Sequence, residues 1–187
     1  MPKVSVVTPH RPDREMLTDL SDQTFKDFEH IVITDTDFRG QCWARNRGLE
    51  QAEADYVLFL DDDLILEDDC VKRFYNGVQG YSFAYCNYWL RGVINGQHIA
   101  HEFDYESLKK NNYISSCSIV KKSDFFGWDE SLNRLVDWDA WLTMAENGKT
   151  GKWIDEFLFT AVFDKTAISV GADYAEAKER VATKHRL

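Results

Sequence analysis

The chain has 187 residues, 44% of them hydrophobic, and a formal net charge of −10 from 22 Lys and Arg against 32 Asp and Glu. That length fits one domain, and the apolar content supports a buried core and excludes global disorder. The acidic balance, with a pI near 4.9, excludes a non-specific nucleic-acid binder, which needs a basic stripe to displace counterions, and docking to anionic lipid by charge alone.

Residues 3–8 form a β-branched run that reads as a strand buried on both faces. Asp13 stands where it would cap a helix that turns Met16, Leu17 and Leu20 to one side and ends near Thr24. Residues 28–34 read as a second strand, residues 41–54 as a helix and residues 56–60 as a third, apolar strand. Strand, helix, strand, helix, strand in this order predicts a parallel sheet with right-handed crossovers. Beyond residue 80 the pattern changes. Residues 81–90 and 92–100 read as antiparallel strands around a tight turn, residues 114–120 as another strand, and residues 138–146 as a short helix stopped at Asn147 and Gly148. A strand over 157–163 and a polar helix over 172–185 close the chain. A mainly parallel first half that runs without a linker into a mixed second half predicts one α/β domain with its site at the join.

The longest apolar stretches, such as residues 56–60, fall far short of the ~18–20 residues a membrane span needs. The N-terminus, Met1-Pro2-Lys3 followed at once by a strand, does not resemble a signal peptide, so a cytoplasmic protein is expected. Cys42, Cys70, Cys86 and Cys117 form no C-x-x-C pair, which points to buried free thiols in a reducing compartment.

The third predicted strand runs directly into Asp61, Asp62 and Asp63. Ligands of open α/β sheets sit outside the carboxyl ends of the strands. Adjacent carboxylates repel one another unless a cation or hydrogen-bond donors compensate, and a hard divalent ion whose shell is completed by phosphate oxygens does so. The plainer alternative is a solvated acidic turn leading to a helix capped at Asp68 or Asp69. An EF-hand loop is excluded, because its acid and glycine positions fall on Ile65 and Leu66. A Walker A loop ending in Gly148-Lys149-Thr150 is excluded as well, since Thr143 stands where its earlier glycine belongs. Asp137 and Asp139, around Trp138, open the helix in the second half. Asp137 is either its N-cap or a carboxylate held at a helix start as a general base.

Several segments then follow one another in a family's order. They are residues 4–8, Asp22-Gln23-Thr24-Phe25 leading to His30-Ile31-Val32, Ala44-Arg45-Asn46-Arg47-Gly48, Asp55 through Asp63, Phe126-Gly127-Trp128-Asp129-Glu130, and Asp137-Trp138-Asp139. Over residues 3–165 the chain resembles glycosyltransferase family 2, with its GT-A (Rossmann-like) fold and metal-binding D-x-D motif. The resemblance implies one GT-A-like domain over residues 1–187, with a nucleotide-sugar half (1–80) and an acceptor-binding, catalytic half (81–187). It implies that the Thr8–Pro9 backbone and Asp35 hold the nucleotide base, and that Arg45 lies near the base or diphosphate. Asp61 meets the ribose, with Asp62 beside it; Asp63, together with Asp61, binds a Mn2+ or Mg2+ ion that bridges the diphosphate. Asp137 becomes the base that deprotonates the acceptor hydroxyl, and attack opposite the leaving group inverts the anomeric centre. The implied activity is metal-dependent, inverting transfer from a nucleotide-diphosphate sugar, a UDP-sugar above all, to a carbohydrate or other hydroxyl acceptor. Contact with a membrane would be peripheral, through a lipid-linked acceptor or a partner.

The chain departs from the family pattern at three places. Only residues 36–43 separate Asp35 from Ala44, so a helix–strand unit is missing there. Val136 replaces the usual Glu before the base. A downstream histidine has no match in Asp164-Lys165-Thr166, and His185, the remaining C-terminal candidate, reads as a surface residue. Tyr81, Phe83, Tyr85, Tyr88 and Trp89 read mostly as core, although Trp89, Trp128, Trp138 or Trp141 would suit the floor of an acceptor-sugar site. Two other functions share the pattern. A sugar-phosphate nucleotidyltransferase would want a Gly-rich basic loop, where Pro9-His10-Arg11-Pro12 has no glycine. A non-catalytic nucleotide- or glycan-binding module is favoured by the missing unit and opposed by the joint presence of Asp61, Asp63 and Asp137.

Overall fold

The computed structural model describes residues 1–163 and 174–187. Asp164-Lys165-Thr166 and the first two residues of the predicted closing helix lie outside them. Strand β1 (Val4–His10) is buried along almost its whole length, as its unbroken apolar run requires. It pairs in parallel with β2 (Phe28–Thr34) on one side and β3 (Tyr56–Phe59) on the other. Helix α1 (Gln41–Gln51) follows β2. Next come β4 (Leu64–Leu66), α2 (Cys70–Gly77), the antiparallel pair β5 (Phe83–Gly92) and β6 (Gly96–His98), and α3 (Tyr105–Lys110). Strand β7 (Ile119–Lys121), α4 (Val136–Glu146), β8 (Gly151–Phe163) and α5 (Tyr174–His185) complete the order. One mixed sheet joins the strands as β2-β1-β3-β7-β5-β8-β4, with β6 beside β5.

Alternation along β3 divides the interior. Val57 and Phe59 point into a core shared with Trp138, Trp141 and Val181, whereas Leu58 and Leu60 point into one shared with Cys70, Val71 and Phe74. The sheet is thus covered by α4 and α5 on one face and by α2 on the other. Helix α1 lies very close to β1: a Cβ at Gly48 would stand 2.2 Å from Val7 Cγ1. That approach brings Arg45, one turn earlier, beneath the carboxyl end of β3.

The helix expected over residues 13–24 does not form. The N–H groups of Leu17 and Thr18 donate instead to the Asp62 carbonyl at 2.7 and 3.3 Å. The Thr18 hydroxyl donates to the Asp61 carbonyl and accepts from the Leu64 N–H at 3.1 Å. The segment spends its backbone donors on the acidic turn, leaving Met16 and Leu17 exposed and only Leu20 buried. The connection from β1 to β2 is therefore a loop. The strand expected over 114–120 shortens to β7, and β8 begins six residues earlier than its apolar run indicates. All four cysteines are buried and unpaired, as expected. No helix of the described residues is long and apolar enough to cross a membrane.

Candidate functional site

A cavity of about 510 Å³ opens at the carboxyl ends of β1, β2 and β3. Pro9, His10, Asp35 and Phe38 line one side, the acidic turn Asp61–Asp63 the middle, and Ser115, Ser116 and Asp137 the facing wall. The expected residues Pro9, Asp35, Asp61, Asp62, Asp63 and Asp137 thus meet in one space.

Each carboxylate of the turn has a different restraint. Asp61 Oδ1 accepts from Arg45 Nη2 at 2.5 Å. Arg45 is 0% exposed; it also donates to Ser116 Oγ at 3.1 Å and rests 4.9 Å from the centre of the Trp128 ring. Asp62 Oδ2 lies 2.8 Å from His10 Nδ1 and accepts the Arg11 N–H at 3.2 Å, so this side chain braces the loop after β1. Asp63 accepts from Arg14 Nη2 at 3.1 Å. Burial and the neighbouring Asp61 charge push Asp63 up to about 7 despite that guanidinium. Burial also raises the pKa of Asp137, opposed by the Trp138 N–H at 2.9 Å and by the charge of Arg45. A carboxylate whose proton affinity is raised is a better general base at neutral pH. Asp137 reaches the wall because Leu135, with φ 56, turns the chain sharply into α4. Leu135 holds the cap position, so Asp137 sits in the first turn and is not the N-cap.

A hard divalent ion requires about six oxygen donors. Among the described residues no three or more His, Cys, Asp or Glu side chains gather around one point. Asp61 and Asp63 supply hard oxygen donors and an excess of negative charge, which suits Mg2+ or Mn2+ if phosphate and water complete the shell.

Residues 12–134 match the family described as Glycosyl transferase family 2. The chain belongs to that family. A curated relative, the uncharacterized glycosyltransferase YwdF of Bacillus subtilis (strain 168), is 20% identical over 211 residues, spanning 92% of this chain and 79% of the relative. Among solved structures, S. aureus TarS 1-349 in complex with UDP aligns with a TM-score of 0.72 at 18% identity, over 97% of this chain and 65% of that one. The mannosyltransferase PcManGT from Pyrobaculum calidifontis, in complex with GDP-Man and Mn2+, aligns with a TM-score of 0.63 at 14% identity, over 89% of this chain and 59% of that one. These likenesses establish the GT-A glycosyltransferase fold, and the chain spans less than two thirds of either structure's own length.

Against the family pattern, several placements differ from expectation. Arg45, expected near the base or diphosphate, is buried behind the cavity wall and bonds Asp61, which lines it. The Thr8 hydroxyl lies 3.0 Å from His30 Nε2, and of the Thr8–Pro9 pair, whose backbone was expected to hold the base, Pro9 lines the wall. Both Asp35 oxygens accept backbone N–H groups, from Arg39 at 2.9 Å and Gly40 at 2.7 Å, so its carboxylate staples the short link into α1. Trp128, Trp138 and Trp141 are core residues rather than an acceptor floor; the last two donate to the Leu108 and Ile114 carbonyls. Trp89 is exposed but stacks on Phe157 outside the cavity lining. His185 is not a surface residue: it is buried between Asp139 and Glu146, 2.9 Å from each, and away from the acidic turn.

His10, Arg14, Arg134 and Ser116 also stand at the wall, and no sequence motif marks them. His10 ends β1, and Arg14, Arg134 and Ser116 are loop residues without periodicity. The one available signal was position, since His10 and Arg11 stand where the first strand ends.

Proposed function

We propose that this family 2 member moves a sugar from a nucleotide-diphosphate sugar, a UDP-sugar by preference, to an acceptor hydroxyl with inversion at the anomeric carbon. The observation that carries the reading is the meeting of Asp61, Asp63 and Asp137 in one cavity. Residues 1–80 act as the donor half and residues 81–187 as the acceptor half. Solved neighbours that bind UDP, UDP-GlcNAc or GDP-Man support a donor of this class.

In this reading Asp61 and Asp63 would hold a Mn2+ or Mg2+ ion, which would supply positive charge to offset the negative charge developing on the departing nucleotide. Arg45 fixes the direction of the Asp61 carboxylate, and Arg14 and Arg134 place positive charge along the same wall. Asp137, raised in pKa by burial, accepts the acceptor proton as the hydroxyl attacks. A cytoplasmic location, with peripheral membrane contact through the acceptor, belongs to the same proposal.

Asp137→Asn tests it. A neutral amide cannot take the proton, and a positioned general base contributes roughly 10²–10⁴-fold. The variant should therefore lose turnover by at least about a hundredfold. Its Mn2+-dependent stabilisation by UDP, read by thermal unfolding, should stay at the wild-type value. Transfer at an undiminished rate would remove Asp137 from the chemistry. Nucleotide binding with no transfer by the wild-type protein would favour a binding module.

A further inference from the structure

Phe38 lies at the cavity wall, in the short link between β2 and α1. It is a large apolar residue, 62% exposed, at φ 54. A bulky residue in the left-handed region is uncommon and strained, and such outliers concentrate at ligand sites. Three hydrogen bonds hold the turn that places it. The Phe38 N–H donates to the Asp35 carbonyl at 3.4 Å, and the two N–H groups that follow donate to the Asp35 carboxylate. The turn sets a ring at the cavity wall instead of folding it into the core. No aromatic partner covers that ring among the described residues.

Its place along the sheet is informative. Phe38 follows β2, and β2 lies two strands from β3, whose end carries the acidic turn. Two strand spacings are about 10 Å, comparable to the distance between a nucleobase and the diphosphate it carries. With the diphosphate at Asp61 and Asp63, the β1–β2 end of the cavity falls where the base must lie. Asp35, the polar group there, already has both oxygens engaged by backbone N–H groups, so it has limited capacity to read a base edge. The other exposed ring at the wall, Tyr174, is covered by Arg134, whose guanidinium lies 5.3 Å from its centre.

We infer that Phe38 is the platform on which the donor's nucleobase stacks, supplied by the short link that stands in this chain between β2 and α1. The inference rests on the nucleotide-sugar reading of the cavity and adds a specificity-determining residue to it.

The test is titration of the full chain, with Mn2+ present, using UDP, GDP, CDP, ADP and inorganic pyrophosphate as separate probes. Phe38→Ala should weaken the best nucleoside diphosphate about tenfold, in the range of base–aromatic stacking, and leave pyrophosphate unchanged. Phe38→Tyr should restore the affinity. Phe38→Asn, which suits a left-handed backbone, should lose it as Phe38→Ala does, separating the ring from the turn. Wild-type affinity in Phe38→Ala, an equal loss for pyrophosphate, or a loss confined to Tyr174→Ala would each overturn the inference while leaving the donor reading in place. A wild-type protein that binds pyrophosphate as tightly as every nucleotide would overturn the platform and retain the metal–diphosphate site. A wild-type protein that binds none of the probes would overturn both.

Discussion

At Asp61 a half-exposed carboxylate meets a wholly buried cation. Among the described residues Arg45 Nε and Nη1 find no hydrogen-bond partner, and an incompletely satisfied buried guanidinium is costly. Asp61, Ser116 and the Trp128 ring face offset that cost. The arrangement makes Arg45 a positioning residue, and two substitutions separate its duties. Arg45→Ala removes the charge and opens a void, so urea unfolding should show a loss of about 2–4 kcal/mol. Arg45→Met refills much of the void without the charge. It should recover most of that stability, yet bind UDP in the presence of Mn2+ more weakly than wild type, because Asp61 is no longer held. Equal nucleotide affinity in the wild type and Arg45→Met would show that Asp61 needs no such restraint.

At the scale of elements, two helix contacts carry the site. Helix α1 is seated through Gly48, where an added Cβ would overlap Val7. Gly48→Ala must shift the helix from β1, and overpacking of this kind costs about 1–3 kcal/mol. The expected signs are a lower unfolding midpoint and, because Arg45 moves with the helix, weaker nucleotide binding. Helix α5 is fastened to α4 through His185, with Lys184 bridging Asp139 and Asp129 beside it. Burial works against the charged imidazole, but hydrogen bonds to Asp139 and Glu146 outweigh it and raise the His185 pKa above its ordinary 6.5. Stabilisation from a raised pKa is complete below the unfolded value and disappears as pH rises through the folded one. The midpoint of wild type should therefore fall relative to His185→Gln as pH climbs from 6 past that raised value. Parallel curves for the two proteins would refute the coupling.

The elements also explain which parts of the structure were legible beforehand. Strands β1 and β3 were readable because strands buried on both faces leave continuous apolar runs. Strand β2, a half-exposed edge strand, was readable because its β-branched residues Ile31, Val32, Ile33 and Thr34 favour an extended chain. The segment containing Met16, Leu17 and Leu20 has helical spacing, but no local pattern reveals that the Asp62 carbonyl claims its N–H groups from forty-five residues away. The first half of β8 carries Lys152, Asp155 and Glu156, which interrupt its apolar run, and it is held as a strand by parallel pairing with β5. At the site, the acidic residues stood out by their place after the third strand and at a helix start, which family order then reinforced, whereas Phe38, Arg14 and Arg134 belong to loops whose positions depend on the assembled sheet.

For the molecule as a whole, charge is the dominant constraint. A chain of net charge −10 that presents an acidic turn to the nucleotide diphosphate proposed above would need a cation between the two. Saturating UDP at about a hundred times its Kd adds about 2.7 kcal/mol of stability, which is a rise of about 5–10 °C for a domain of this size. That rise should occur with Mn2+, and EDTA should abolish it; a rise that survives chelation would mean that the wall arginines alone receive the diphosphate. The four cysteines have a different consequence. Each is buried, and burial raises the thiol pKa of Cys42, Cys70, Cys86 and Cys117, so none offers a ready thiolate to an alkylating reagent. A single cysteine introduced at an exposed position such as Arg39 would then be the preferred target of a maleimide dye, giving a fluorescent reporter beside the cavity without first stripping the native thiols.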